Sequence, residues 1–402
     1  MTDVLVALSL AGIAIGRFPA LRMNRATIAL VGATLLVLAG SLSLEEAYAA
    51  IDANTVALLF SMMVFNANLR FAGFFTLAGL ALRRWSRGPK TLLFALVVIA
   101  SVLSAFFIND TLVLMLTPIV LDVAAAAGLN PVPYLIGLAV SANIGSMATI
   151  MGNPQNILIG ASSGLSFGAF SAALAPPALL ILVLAYALIV LLFPGEFKAR
   201  RLLPPVQGRV FIYKPLLIKC GVSFALMAAA LAFGLPVSLA GLSGAALLLV
   251  TRRIRPERVL LDLDWSLLVL FPSLFVITRA ASTSWFFGNL YELVRSPMSE
   301  SPALLGAFSA GLSQLISNVP TVMLLRPLVP AMPDPGTAWL VLAGCTTLAG
   351  NFTLLGSVAN LIVAELARKR GVKLGFLPYL KVGLPLTALG IALTLAWLLV
   401  LR

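Results

Sequence analysis

The chain has 402 residues, of which 61% are hydrophobic and only 10% are charged. Soluble globular proteins do not carry that much apolar sequence, and several of the apolar runs are long enough to span a bilayer. The chain has no His and two widely separated Cys, Cys220 and Cys345, which excludes imidazole metal sites, a disulfide framework and a CxxC redox site. We therefore predict an all-α polytopic membrane protein without a bound metal or cofactor.

Apolar segments follow one another along the chain, separated by short polar connections. In chain order they cover 2–16, 26–41, 54–69, 92–107, 112–127, 132–163, 172–193, 215–234, 238–251, 265–282, 301–316, 320–332, 337–366 and 382–401. The first segment has no basic residues ahead of it and no clear cleavage site, so we interpret it as a retained span and not as a signal peptide.

The distribution of basic residues predicts how the spans are oriented. Of the 27 Lys and Arg residues, 23 lie in clusters at 17–25, 70–90, 198–219, 252–258 and 368–381. The linkers without any Lys or Arg are 42–52, 164–171 and 333–336. Because short cytoplasmic loops are enriched in Lys and Arg, we predict a bacterial-type cytoplasmic (inner) membrane protein with both termini outside.

Under this topology two pairs of apolar segments, 92–127 and 301–332, each enter and leave on the same side. Each pair forms either two full spans or one re-entrant hairpin. The arm 320–332 would be about 20 Å long as a helix, which is short for an apolar core of about 30 Å. The tips read FINDT and ISNVPT, unlike solvated loops. We expect re-entrant hairpins, which are tolerated where they are buried in protein or line a cavity.

Features of the first half recur in the second half in the same order. The matching residues are Asp52 with Asp264, Asn109 with Asn318, Thr149 with Thr353, Gly152 with Gly356, and Asn156 with Asn360. We predict two repeats, 1–193 and 209–402, joined by a basic cytoplasmic linker over 194–208. Each repeat has five transmembrane spans, one of them broken, plus one hairpin. Since five is odd, the second repeat is inverted. Amphipathic surface helices are expected at 74–90 and 286–297.

Each half contains an apolar segment that carries residues unfavourable to a continuous helix. Gly152, Asn153 and Pro154 lie in the segment 132–163, and Gly356 and Ser357 lie in 337–366. Gly lacks a Cβ and Pro lacks an N–H, so we expect both helices to stop and restart there. The half-helix N-termini suit an oxygen-rich or anionic substrate, and the carbonyl ends suit Na⁺ or a proton carrier. A kinked helix without any ligand is the alternative.

The hairpin tips and the two breaks supply the candidate substrate- and ion-binding residues. Apart from Gly152 and Gly356, these residues carry amides and hydroxyls, which bind a polyhydroxylated or oxyanionic solute by hydrogen bonding. They are Asn109, Thr111, Asn143, Thr149, Asn153, Asn156, Ser317, Asn318, Thr321, Thr353, Ser357 and Asn360.

Asp110 is the charged residue of this set, and it lies at a hairpin tip deep in the membrane. Ionising a carboxyl group there is costly, so we predict that Asp110 carries the coupling proton or coordinates Na⁺. A structural acid bonded to the other tip or to Arg326 is the alternative. Arg326 itself either faces a cavity or extends to the outer surface. We expect Asp122 at the interface and Cys345 as a small buried residue.

Four motifs make the sequence similar to a known superfamily of carriers. They are AFFINDTLVLMLTPIV, NIGSMATIMGNPQNILIG, QLISNVPTVMLL and LAGNFTLLGSVANLIVAE, and the similarity extends over nearly the whole chain. They resemble the ion-transporter superfamily, which includes arsenical-pump membrane proteins, sodium/proton antiporters and divalent-anion/sodium symporters. The resemblance implies two re-entrant hairpins, two broken helices and an elevator-like shift of the hairpin-bearing part against a scaffold.

The hairpin tips differ from those of one branch of this superfamily. Dicarboxylate symporters carry Ser-Asn-Thr at both tips, whereas this chain has Ile108-Asn109-Asp110 and Ser317-Asn318-Val319. An ionised Asp110 would also repel a dianion. The segment FINDTLVLMLTPIV resembles the arsenical-pump branch, for which a proton-coupled antiport is implied, and GNPQNILIGASSGLSF also resembles related anion permeases.

The leading hypothesis is a secondary transporter that expels arsenite or antimonite in exchange for protons. The alternatives are a sodium-coupled importer of a dicarboxylate or inorganic oxyanion, and a sodium/proton antiporter. The expected partners are a small inorganic solute or anion, the lipid bilayer, a second copy in a homodimer and a separate ATPase subunit. The chain has no phosphate-binding GxxxxGK[ST] motif of its own, we expect no enzyme activity, and we expect no nucleic acid as partner.

Overall fold

The computed structural model describes residues 1–15, 17–18, 23–197, 212–250, 255–286, 288–289 and 301–401. Nearly all of the secondary structure in these ranges is helical. One small antiparallel strand pair, Arg17–Phe18 with Met23–Asn24, joins the first two helices.

The helices of the first half are α1 (Thr2–Ile15), α2 (Arg25–Leu38), α3 (Leu44–Ala50), α4 (Ala53–Ala72), α5 (Phe74–Trp85), α6 (Pro89–Phe106), α7 (Asn109–Ala126), α8 (Pro131–Met147), α9 (Pro154–Ser163), α10 (Phe167–Leu192) and α11 (Pro194–Phe197). The long helices of this half correspond to the predicted apolar segments, and the short α3 and α11 form in predicted linkers.

The second half has the same sequence of long helices. They are α12 (Lys214–Ala232), α13 (Val237–Leu249), α14 (Pro256–Leu261), α15 (Trp265–Thr283), α16 (Pro302–Ile316), α17 (Asn318–Leu325), α18 (Pro335–Ala349), α19 (Val358–Lys369) and α20 (Phe376–Val400), with a 3₁₀ turn at Val329–Ala331.

Within the described residues, seven helices are long and apolar enough to cross a membrane. They are α4, α6, α7, α10, α15 and α20, together with Lys214–Leu231 of α12. A helix of 18 residues is about 27 Å long, close to the thickness of the apolar core. The structure therefore confirms the nearly all-helical, polytopic class predicted from composition.

Helix contacts run between the two halves of the chain. Helix α2 packs along α15, and α13 packs along α4, so the second helix of each half lies on the fourth helix of the other. In both halves the helix before a hairpin tip packs on the helix before a break: α6 on α8, and α16 on α18. The long helices α10 and α20 pack on each other. These contacts surround the two breaks with protein on several sides.

Three ion pairs connect the ends of helices from different parts of the chain. Arg70 at the end of α4 pairs with Asp262, and Arg370 pairs with Asp122 of α7 at 2.6 Å. The Arg326 guanidinium lies 3.6 Å from the carboxylate of Asp52, which also accepts hydrogen bonds from the first N–H groups of α4. Two of these pairs, Arg70 with Asp262 and Arg370 with Asp122, join residues that the basic-residue pattern predicts on the same side of the membrane.

Of the segments predicted outside the apolar spans, one is described in full and two only in part. Helix α5 forms within the predicted amphipathic segment 74–90. Its proposed counterpart at 286–297 lies largely outside the described residues, as does the linker 194–208 from residue 198 onward.

The contact between α6 and α8 depends on a glycine. A Cβ placed on Gly145 would lie 2.3 Å from the carbonyl oxygen of Ser101 and 2.5 Å from its Cα. Real Cβ atoms do not approach backbone that closely, so any side chain at Gly145 would push α6 away from α8.

We expect Gly145→Ala to destabilise the protein by about 1–3 kcal/mol, the usual cost of overpacking. The matched control is Gly221→Ala in α12, where a Cβ would meet nothing within 4 Å. The control gains about 1 kcal/mol of helix propensity and should melt at the same or a higher temperature. Melting temperatures of both variants in detergent check the contact, and equal melting would contradict it.

Candidate functional site at two helix breaks

The first break separates α8, which ends at Met147, from α9, which begins at Pro154. The side chain of Asn153 accepts a hydrogen bond from the Asn156 N–H at 2.8 Å and so caps α9. The Asn156 amide in turn donates to the carbonyl oxygens of Ser146 at 3.1 Å and Thr149 at 3.0 Å. One side chain thereby provides donors for two carbonyl groups that the interrupted helix leaves without partners.

The second break, between Ala349 and Val358, repeats this arrangement. The Asn360 amide donates to the carbonyl oxygens of Gly350 at 2.8 Å and Thr353 at 3.2 Å. Asn360 and its two acceptors each lie 204 positions after Asn156, Ser146 and Thr149. Both breaks are therefore braced by an asparagine in the first turn of the following half-helix.

Asn143 of α8 connects the first hairpin tip with the second break. Its Oδ1 accepts from the Asn109 amide and from the Ser357 hydroxyl, both at 3.1 Å. Its Nδ2 donates to the Oδ1 atoms of Asn351 at 2.8 Å and Asn360 at 3.1 Å. These four bonds use the full capacity of one amide, two acceptor and two donor positions, inside the protein.

A second set of bonds connects the first break with α18. The Asn153 amide donates to the Thr347 hydroxyl at 3.2 Å and to that of Ser146 at 2.9 Å. Gln155 also donates to Thr347, at 3.3 Å. Gln155, Thr347 and Asn351 were not among the residues predicted for the site. Their polar side chains within about one turn of a break are the sequence signal that identifies them.

The first hairpin tip is bonded directly to the first break. Helix α6 ends at Phe106, and the N–H of Asn109, the first residue of α7, donates to the carbonyl oxygen of Gly152 at 3.2 Å. The Thr149 hydroxyl donates to the carbonyl oxygen of Ala105. A Cβ on Gly152 would lie 2.8 Å from the carbonyl oxygen of Ser104 and 2.3 Å from that of Ser146. Only glycine allows the tip and the break to approach this closely.

The Asp110 carboxylate has no hydrogen bond or ion pair with any residue in the described ranges, although its backbone N–H is bonded to Asn109 Oδ1 at 3.0 Å. The charges that act on it are the guanidinium of Arg25, at the start of α2, and the carboxylate of Asp264, at the start of α15. Asp110 therefore lies within electrostatic range of the starts of α2 and α15. Arg326, the alternative partner considered from the sequence, instead pairs with Asp52 and lies over the Phe275 ring.

The second hairpin tip differs from the first in its hydrogen bonding. Between α16 and α17, Ser317 has φ 75° and ψ 163°, a conformation that residues other than glycine rarely adopt. The Asn318 Oδ1 atom is buried and has no donor among the described residues. A Cβ on Gly350 would lie 3.4 Å from Asn318 Nδ2, so the tip lies beside the second break. The second tip therefore combines an unpaired hydrogen-bond acceptor, Asn318 Oδ1, with the strained backbone of the adjacent Ser317.

The structure brings most of the predicted site residues together, but many of their side chains are hydrogen-bonded to one another or to the backbone. Asn109, Asn143, Ser357 and Asn360 form one bonded group, and Thr149, Gly152, Asn153 and Asn156 surround the first break. The Thr321 hydroxyl bonds back to the Ser317 carbonyl oxygen at 2.9 Å. Among the described residues, the side chains of Thr111 and Thr353 make no hydrogen bond.

Two other residues considered in the sequence analysis, Asp122 and Cys345, have structural roles outside the candidate site. Asp122 is half exposed at the far end of α7 and pairs with Arg370. Cys345 is fully buried in α18, where its Sγ would lie 2.9 Å from a Cβ on Gly306 of α16. Cys345 therefore packs as a small residue between two helices, as predicted.

Apolar helices that cross a membrane, interrupted around a buried polar cluster, define a polytopic membrane transporter. The family model described as citrate transporter (CitMHS) matches residues 10–344. The chain therefore belongs to this family, which confirms the resemblance to the ion-transporter superfamily. It is a membrane transporter and not an enzyme.

Relatives of similar length support this assignment. The chain is 30% identical to the 46 kDa membrane protein of Mycobacterium leprae, with 92% of each chain covered. It is 31% identical to the silicon efflux transporter LSI3 of Oryza sativa subsp. japonica, with 93% of each chain covered. Among solved structures, the YdaH transporter of Alcanivorax borkumensis shares the fold with a TM-score of 0.58 at 15% identity, covering 100% of this chain and 96% of that one.

We expect Asn143→Leu to destabilise the protein by at least about 2 kcal/mol, because it leaves several buried polar groups without partners. Asn66→Leu in α4 is the matched control. Asn66 is equally buried, at 2% exposure, but neither atom of its amide has a hydrogen-bond partner in the described part of the chain. Removing that amide should leave the melting temperature unchanged or raise it. A melting temperature for Asn143→Leu equal to or higher than that for Asn66→Leu would contradict the assigned role of Asn143.

Proposed function

We propose that this protein is a secondary active transporter that expels arsenite or antimonite across the cytoplasmic membrane in exchange for protons. The observation that carries the proposal is the charge of the site. The tips and breaks, 104–112, 143–160, 313–321 and 345–360, contain no Lys or Arg, and their one acidic residue is Asp110. Tips and breaks that contribute one carboxylate and no cationic side chain favour a neutral solute over a dianion.

The hydrogen-bonding groups of the site suit a neutral polyhydroxide. Arsenous and antimonous acids are trihydroxides near neutral pH, and their hydroxyl groups both donate and accept hydrogen bonds. The unpaired Asn318 Oδ1 is an acceptor, which a hydroxyl group satisfies and a carboxylate does not. Silicic acid, the neutral hydroxide of silicon, belongs to the same chemical class, and one relative at 31% identity is a silicon efflux transporter.

Proton coupling is assigned to Asp110. A carboxyl group without a protein partner is free to release and take up a proton, and ionisation inside a membrane protein is costly. In the proposed cycle Asp110 is protonated on the outer side and deprotonated on the inner side. In the two alternative functions, the sodium-coupled importer and the sodium/proton antiporter, Asp110 would coordinate Na⁺.

Alternating access would follow from the way the two breaks are joined. Asn143 bonds to residues of the second break, and Asn153 and Gln155 bond to Thr347. Such cross-links favour movement of both breaks as one body together with the hairpins. We infer an elevator-type shift of this body against α1, α2, α4, α12, α13 and α15, within two inverted repeats with re-entrant hairpins. The buried first tip, where Ile108 is 3% exposed, supports the hairpin reading.

The proposed orientation keeps both termini outside. It is supported by the basic-residue pattern, in which 23 of the 27 Lys and Arg residues lie in the five clusters assigned to the cytoplasmic side. A homodimer and a separate ATPase subunit stay predictions, and the proposed cycle requires neither, since the proton gradient supplies the energy.

The test is arsenite uptake into proteoliposomes with an acidic lumen, a pH gradient that drives antiport. We expect Asp110→Asn to reduce gradient-driven flux by at least about a hundredfold, as in the loss of an essential proton-transfer group. Asp122→Asn is the matched control, because it makes the same change on the same helix at a half-exposed position. The control should keep near wild-type flux.

Three outcomes would overturn parts of this proposal. Arsenite flux that persists in Asp110→Asn removes Asp110 as the proton carrier. Anion uptake that stops when choline replaces Na⁺, without arsenite flux under any gradient, favours the sodium-coupled importer. A pH change driven by Na⁺ alone favours the sodium/proton antiporter.

A further inference from the structure

Helix α5 is amphipathic and carries basic residues at one end. Its buried residues are Phe75, Gly79 and Leu82. Its last turn and the following segment form what we call the α5 surface, which consists of Arg83, Arg84, Trp85, Arg87 and Lys90. Arg84, Arg87 and Lys90 are exposed, and the Trp85 side chain is 58% exposed.

The positive charges of the α5 surface have no partners in the part of the chain that the structure describes. The segment 70–90 contains no Asp or Glu, and none of the four basic side chains makes a hydrogen bond or ion pair there. Other arginines of this protein behave differently: Arg70, Arg326 and Arg370 each pair with an aspartate. Four unpaired positive charges next to an exposed tryptophan are therefore available to bind a negatively charged partner from outside the chain.

The position of α5 shows where that partner lies. The helix follows α4 through Gly73, whose φ of 79° reverses the chain, and it precedes α6. Helix α4 is apolar enough to cross the membrane, and α6 is the arm by which the first hairpin enters it, so the connecting helix α5 is placed at the membrane surface. Tryptophan is enriched at this depth, and amphipathic helices with Lys and Arg on the polar face lie in the headgroup region.

Helix α5 also contacts the first hairpin. The rings of Phe74 and Phe75 lie 5.6 and 6.5 Å from the ring of Phe107 at the hairpin tip, and Phe107 stacks on Phe65 of α4 at 5.9 Å. A Cβ on Gly79 would lie 2.9 Å from the Ile119 side chain of α7. Any change in the position of α5 is therefore transmitted to the tip that carries Asn109 and Asp110.

We propose that the α5 surface binds the headgroups of anionic phospholipids, and that this binding holds the first hairpin in its working position. The phosphate groups neutralise the unpaired arginines and Lys90, while the Trp85 ring lies among the headgroups. The transport rate then depends on the anionic lipid content of the membrane. The lipid-binding part of this proposal does not depend on which solute is transported.

The first experiment measures lipid binding to the full-length protein by native mass spectrometry, with phosphatidylglycerol and phosphatidylcholine as probes. The test variant combines Arg83→Gln, Arg84→Gln, Arg87→Gln and Lys90→Gln. The matched control removes four exposed positive charges elsewhere, through Arg255→Gln, Arg258→Gln, Lys373→Gln and Lys381→Gln. We expect the apparent affinity for phosphatidylglycerol to fall at least about tenfold in the test variant and to stay near wild type in the control.

The outcomes of the binding experiment are distinct. Equal retention of phosphatidylglycerol by the wild type and the test variant overturns the proposal. An equal loss in the control overturns the assignment to α5. If the fourfold variant does not elute as a single species, the double variant Arg84→Gln and Arg87→Gln replaces it. A second readout is the quenching of Trp85 fluorescence by brominated phosphatidylglycerol, with Trp85→Phe as the reference.

The second experiment measures arsenite flux in proteoliposomes with increasing phosphatidylglycerol. We expect at least about a twofold rise for the wild type and a flat response for the test variant, since the variant lacks the charges that attract the lipid. Binding of lipid with a flux that does not depend on it overturns the coupling to the hairpin. Absence of arsenite flux in every membrane contradicts the proposed substrate and leaves the binding result as the decisive one.

Discussion

An interrupted helix inside a membrane leaves backbone N–H and C=O groups without partners, and each such group costs several kcal/mol in apolar surroundings. The protein has two such interruptions, and their carbonyl groups receive hydrogen bonds from side-chain amides. Asn156 serves the first break and Asn360 serves the second, each with two donors to two carbonyls. The architecture around the breaks follows from the need to place these amides.

The same need explains why the hairpins pack where they do. The N–H of Asn109 bonds to the Gly152 carbonyl, and the Gln314 amide of α16 bonds to the Ala349 carbonyl. Each hairpin thus satisfies one backbone group of the neighbouring break. Asn143 extends this network across the molecule, because its four bonds reach the first tip and the second break. An amide with no remaining donor or acceptor holds other residues in position and has no capacity left for a ligand.

At the two hairpin tips, the polar groups that stay free after this internal bonding are chemically informative. The Asp110 carboxylate and the Asn318 Oδ1 atom lack partners in the described ranges, and the strained Ser317 lies beside the latter. Strained residues persist where the surroundings hold them in place, often at functional sites. The two tips, which match in sequence, therefore differ in chemistry: one presents an acid, the other an unpaired carbonyl oxygen.

Several features could be predicted because they depend on neighbours in sequence. The run Gly152-Asn153-Pro154 cannot continue a helix, and α9 indeed begins at Pro154. The break near Gly356 lacks a proline and was predicted from its match to the first half. The partners of Arg326 and Asn143 could not be predicted in this way. Asp52 lies 274 positions from Arg326, and nothing local to either residue indicates the contact.

By itself, the sequence determined the membrane class, the apolar segments and the places where helices stop. These properties depend on side-chain hydrophobicity and backbone chemistry, which act over a few residues. Only the tertiary structure decided which of the many amides and hydroxyls brace the breaks and which stay available. Each amide has a fixed number of hydrogen bonds, and whether they are used depends on groups brought close from segments some two hundred residues apart.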